Sequence, residues 1–291
     1  MAKKTEDTTA KTEEQTTALA TQATQLPAFM QDDRKLGLET VLQYVRPPRL
    51  KIVQALAADS IKAKFNIGDI ILMPHMELVA PMKMDERNQP LADGAPIHFV
   101  PLFMFVEYIT WNPLSLRGQV PSMAARSFDP KSEIARKARD PELRIEKYKD
   151  DPKLSIKHVE HLNYIVVPVN DHPFMGTQMV LSFSRGDHRF GTNFANLIAL
   201  RKAPICGCNF ELHAHFEKNN KGQWYAPHVT NPSTASGLSP WVDKVLYDVL
   251  REQHVELKTA FEEGRIDIDH SDDDVDPAEA EAAAAAENKD F

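Results

Sequence analysis

Cys206-Gly207-Cys208, followed by His213 and His215, places four side chains of zinc-ligand type within ten residues. Thiolate sulfur and imidazole nitrogen are the donors tetrahedral Zn2+ takes. In one uninterrupted strand, however, side chains alternate, so Cys206 and Cys208 face one way and His213 and His215 the other. Unless a bulge re-aims the strand, the expectation is structural thiols and surface histidines, with neither metal nor cofactor. Nothing else has enzymatic spacing. His158-Val159-Glu160-His161 lacks the zinc-protease helix spacing, Arg185-Gly186-Asp187 is a chance tripeptide, and no phosphate-cradling glycine loop or serine elbow occurs. Paired carboxylates fall only in polar segments where no pocket could tune them. The reading is a non-enzyme.

A second pattern is basic residues interleaved with aromatics: Arg46, Arg49 and Lys51; Tyr108 and Trp111; Arg185 and Arg189; Arg201 and Lys202; Lys218, Lys221, Trp224 and Tyr225. Single-strand binders need both kinds. Cations track phosphates, and aromatic faces stack bases without reading sequence. Phe99, Phe103 and Phe210 are assigned to the core, and Tyr108, Trp111, Trp224 and Tyr225 to stacking, because they sit beside polar or turn residues.

The third pattern is the C-terminus. Of the net charge of −8, residues 266–291 carry −9, from ten acids against Lys289, which leaves the other 265 residues at +1. The run includes Asp272, Asp273 and Asp274 and ends in Asp290-Phe291. This combination resembles the C-terminal tails of single-stranded DNA-binding proteins of bacteria and of T7-like phages. The acids of such a tail can occupy a cationic groove. Once nucleic acid displaces it, the terminal Phe can dock partner enzymes.

These residues need a scaffold. Residues 1–35 hold almost no large apolar side chain and are expected to be disordered. The body is expected over 36–264, with a charged insertion at 126–157 and a disordered acidic tail at 265–291. Alternation predicts strands at Arg49–Val53, Asp69–Met73, Ile97–Trp111, Leu162–Val169, Met179–Ser184 and Phe210–Glu217, the last turning at 218–222 into a strand through Trp224 to Val229. Helices are predicted at Asn193–Lys202, capped by Thr192, and from Trp241 to about Glu262, with a stripe of Val242, Val245, Leu246 and Val249. Short strands with few helices give a mainly β chain, expected as an OB-like antiparallel barrel with insertions. The insertion has ten basic and seven acidic residues among 32, so it is either a solvated excursion or an arm closing over a polyanion.

Arg46-Pro47-Pro48-Arg49-Leu50-Lys51-Ile52-Val53-Gln54, the segment from Pro101 to Pro113, and Lys221-Gly222-Gln223-Trp224-Tyr225 resemble tailed-phage proteins associated with single-stranded DNA binding in replication or recombination. The resemblance covers most of residues 40–260. It implies an OB-like core, DNA binding without strong sequence preference, and replication or recombination enzymes as partners. A phage structural or assembly protein and a small zinc-binding protein are the alternatives. Two cysteines, no secretory leader and no apolar run of membrane length make the host cytoplasm the expected location, with no membrane partner.

Overall fold

Ile97–Trp111 carries large apolar side chains at both parities, so a strand here must be covered on both faces. In the computed structural model, residues 46–270 are described, except 88, 117, 118, 171, 220, 221, 234 and 235. The strands are β1 (Arg49–Ile52), β2 (Ile70–Met73), β3 (Glu77–Ala80), β4 (Ile97–Trp111), β5 (Met123–Ser127), β6 (Ile145–Lys147), β7 (Ser155–Pro168), β8 (Met179–Ser184), β9 (Phe210–Asn219) and β10 (Gly222–Thr230). The helices are α1 (Asp59–Lys62), α2 (Glu133–Arg139), α3 (His188–Arg201) and α4 (Lys244–Glu262).

The chain is mainly β. One ten-stranded sheet runs β10-β9-β4-β7-β8-β1-β2-β3, with β5 beside β4 and β6 beside β7. Its pairings are antiparallel apart from β1 and β8, which meet in parallel at Arg49 and Val180. The finer expectation of an OB-type barrel is not met among the described strands. Where β1 and β10 approach, no ladder forms. Instead the Gln54 side chain bridges the gap, donating to the Tyr225 carbonyl (2.7 Å) and accepting from the Tyr225 amide (3.1 Å).

Alternation distributes the side chains between two cores. On β7, Leu162, Tyr164 and Val166 enter one core, and Ile165 and Val167 the other. On β8, Met179, Leu181 and Phe183 oppose Val180 in the same way. Pro101 sits in central β4 because the β4–β7 register shifts there, and a bulge spares the ladder an amide it cannot supply.

The first core is covered by α3 through Phe190 and Phe194. Gly191 permits the close approach, because a Cβ there would lie 2.7 Å from Phe183 Cβ. The Tyr164 hydroxyl donates to the Gly191 carbonyl at 3.0 Å. Since α3 starts at His188, Thr192 is not its cap; its hydroxyl donates back to the His188 carbonyl.

The second core is covered by α4 through Leu250 and Leu257. Asp243 caps this helix by accepting from the Leu246 amide at 2.9 Å. The buried stripe therefore runs through Leu246 and Leu250, while Val245 and Val249 are exposed.

The insertion is not a solvated excursion. It begins inside β5, which pairs with β4, and adds β6 to β7, with α2 between them capped by Ser132. Ala135 of α2 is buried, and Lys137 ties α2 to Glu146 of β6 at 3.0 Å. No helix among the described residues is long and apolar enough to cross a membrane.

Candidate nucleic-acid interface

A groove of about 1380 Å³ opens between β1, the start of β7, the end of β8, the insertion and the β9–β10 hairpin. That exceeds the roughly 300–1,000 Å³ of small-molecule pockets. Arg49, Lys51, Arg139, Arg144, Lys157, Arg185, Arg189 and Lys218 line it, against two acids, Glu160 and Asp187.

Local structure explains these positions. Arg49 and Lys51 extend from β1 on the face opposite Leu50 and Ile52, which are buried. Arg185 and Asp187 occupy a single 3-10 turn between β8 and α3, with Arg185 at φ 49°. Arg189 follows on α3, its guanidinium 4.6 Å from the Phe190 ring centroid and 2.5 Å from Glu217. Arg139 ends α2, lies over the Tyr108 ring and donates to the Tyr108 hydroxyl.

Asp187 is the electrostatic exception. Burial pushes its carboxyl up to about 6, opposed by the hydrogen bond from the Trp224 indole N–H at 3.0 Å.

Of the thirteen residues assigned to DNA from sequence, Arg49, Lys51, Trp111, Arg185, Arg189, Lys218, Trp224 and Tyr225 line this one groove. Lining is not stacking. Trp111 and Tyr225 are each 5% exposed, and Tyr108 is fully buried. Trp111 packs edgewise on His270, while Tyr225 donates to the Leu91 carbonyl and meets Phe216 edge to face. These three are core residues, and stacking is withdrawn from them. Trp224 stays half-buried, with its indole pinned by Asp187.

Arg201 is also corrected. It lies over Phe210 and Trp241 and donates to Asn231 Oδ1, a structural clamp outside the groove. Lys202 closes α3 in the left-handed region, at φ 50°, and does not line the groove either. Lys221 lies outside the described residues.

Sequence reasoning missed Arg139, Arg144 and Lys157. The insertion's charge density was the signal, and its packing against β4 and β7 brings these cations to the groove wall.

The body does not end at 264. Ile266, Ile268 and His270 are buried, the first two in the second core. Asp267 pairs with Arg46 at 2.7 Å and with Arg126 at 2.5 Å, and the Asp269 carbonyl accepts from Arg49 at 3.2 Å. His270 Nε2 lies 2.9 Å from the fully buried Glu107 carboxylate, which also receives Asn163 Nδ2 and pairs with Arg126. Burial works to raise the Glu107 carboxyl; the His270 hydrogen bond and the charges of His270, Arg126 and His161 outweigh it and hold it below the usual carboxylate range. The His270 ring packs against His161 (5.1 Å) and Trp111 (5.9 Å), both of which line the groove. The expected tail 265–291 therefore divides: residues 265–270 belong to the fold, and Asp272, Asp273, Asp274, Asp290 and Phe291 lie outside the described residues.

A family model described as Pam3 phage gp34-like protein matches residues 16–260. The chain belongs to the Pam3 phage gp34-like family. Family membership marks it as a phage-type protein, in keeping with the phage resemblance read from the sequence. No curated protein and no solved structure matches it.

The zinc set read from sequence is not assembled. Cys208 is buried in the first core and Cys206 in the second, and burial raises both thiols. His213 and His215 find other company, described below.

Proposed function

We infer that this gp34-like protein binds single-stranded DNA, coating it without strong sequence preference during phage replication or recombination. The convergence of strand, turn and insertion cations on one large groove carries the reading. Such a lining neutralises phosphates from several sides, and Trp224 supplies one aromatic edge for a base.

The anchored strap supports a second part: the acidic tail competes with DNA for the same cations. Residues 266–270 already engage the groove cation Arg49 through the Asp269 carbonyl and, outside the groove lining, Arg46 through Asp267. Tethering holds the tail at millimolar effective concentration, enough for a weak contact to compete. Displaced by DNA, the tail with Phe291 is free to dock a replication or recombination enzyme.

The test is fluorescent oligo-dT binding beside a duplex of equal length. Tighter binding of the single strand, weakened by Arg144→Ala and Lys218→Ala, supports the reading. Absence of binding at low salt leaves the phage assembly role as the better account.

A further inference from the structure

His213, His215 and His228 each bring a ring nitrogen within 4.8 Å of the other two. The hairpin register creates this cluster. His213 and His215 share a face of β9, and His228 of β10 stands directly opposite His213. His228 Nδ1 lies 3.2 Å from His213 Nε2. A fourth donor, Asp93 Oδ1, is 2.6 Å from His215 Nδ1 and 3.5 Å from His213 Nε2.

Asp93 is held there by its neighbours rather than by chance. The Gly94 amide donates to the Ala214 carbonyl (2.9 Å) and the Phe216 amide to the Ala92 carbonyl (2.8 Å), which fastens the loop along β9.

We propose that His213, His215, His228 and Asp93 form a binding site for one divalent zinc-type cation that clips the 92–94 loop to the β9–β10 hairpin. Zinc holds imidazole nitrogen and carboxylate oxygen at about 2.0–2.2 Å, which sets neighbouring donors of a tetrahedron about 3.3 Å apart. The separations of 3.2 and 3.5 Å match that edge. The 2.6 Å contact is the hydrogen bond that the cation replaces. Three imidazoles and one carboxylate are donors that suit zinc over magnesium or calcium, which prefer all-oxygen sets. Four protein ligands close the coordination shell, so the role is structural.

Half-exposure of Asp93 leaves a path for the ion to enter.

The site is independent of DNA binding, and so is its test. Full-length protein without an affinity tag is stripped with chelator and titrated with Co2+, whose tetrahedral complexes absorb in the visible. Zn2+ then displaces it, and melting is followed with and without Zn2+. The expected result is one equivalent bound and a Zn2+-dependent rise in melting temperature. His228→Asn should weaken Co2+ by more than the roughly 10–100-fold that loss of an outer-shell partner costs. Should His228→Asn fail to fold, surface Asp93→Asn serves in its place, with the same expected direction. Absence of saturable binding at one equivalent overturns the proposal. So does binding undiminished in folded His228→Asn or Asp93→Asn protein.

Discussion

The Asp267 carboxylate lies 2.7 Å from the Arg46 guanidinium, so the first acid of the C-terminal run already neutralises a cation assigned to DNA from sequence, one that the structure leaves outside the groove lining. Its neighbours Ile266 and Ile268 are buried, which makes the contact part of the fold. Two truncations separate anchor from competitor. A chain ending at His270 should melt like the full protein and bind oligo-dT more tightly at low salt. A chain ending at Gly264 loses two buried isoleucines and the His270–Glu107 contact, and should be destabilised by at least about 3 kcal/mol. Equal melting of the two truncations contradicts the anchor; unaltered DNA affinity of the first contradicts the competitor.

Phe291 tests docking separately. Its deletion changes no side-chain charge, so DNA affinity should hold. Binding to a phage or host replication enzyme, read by pull-down with purified partner, should fall. Full retention of every partner shows that the tail acts only through its charge.

Two tryptophans should behave oppositely. Trp224→Ala should weaken oligo-dT by about 1–3 kcal/mol, as for a stacked base, with a smaller stability loss than Trp111→Ala, since the indole is only half-buried on the first core and bonded to Asp187. Trp111→Ala should cost roughly 3–5 kcal/mol of stability, because the buried indole packs against His161 of β7 and His270. Unchanged affinity in folded Trp224→Ala protein removes that ring from the site.

Asp187 gives the groove a pH dependence. Its carboxyl is raised from 3.8 to about 6 by burial, so lowering pH through 6 removes one of the two negative charges lining the groove. Oligo-dT affinity should rise between pH 7 and 5 more in wild type than in Asp187→Asn, which keeps an oxygen for Trp224 but has no charge. The stability sign agrees. A raised folded pKa contributes stability fully present below 3.8 and lost as pH rises through about 6. Parallel pH profiles for the two proteins contradict this role.

Period-two alternation made the apolar strands readable. Ile97–Trp111 and Met179–Ser184 are strands with those bounds. Strand partners are non-local, so neither the β1–β8 parallel contact nor the Gln54 bridge left a trace in sequence. Polar flanks misled the assignment of Tyr108, Trp111 and Tyr225. Such neighbours report a strand's other face, and in β4 both faces are covered. Net charge placed the tail boundary too early, because Ile266 and Ile268 alternate with acids as a half-buried segment does. His228 was overlooked because only the hairpin register sets it opposite His213.

The most direct measurement of the central claim is oligo-dT affinity across a salt series, beside duplex of equal length. With eight cations lining the groove, of which about four to eight would meet phosphates, log affinity should fall against log salt with a slope of roughly −3 to −6. The single strand should bind more tightly than the duplex throughout. A flat salt dependence, or equal affinity for the two forms, would contradict the groove as a single-strand site.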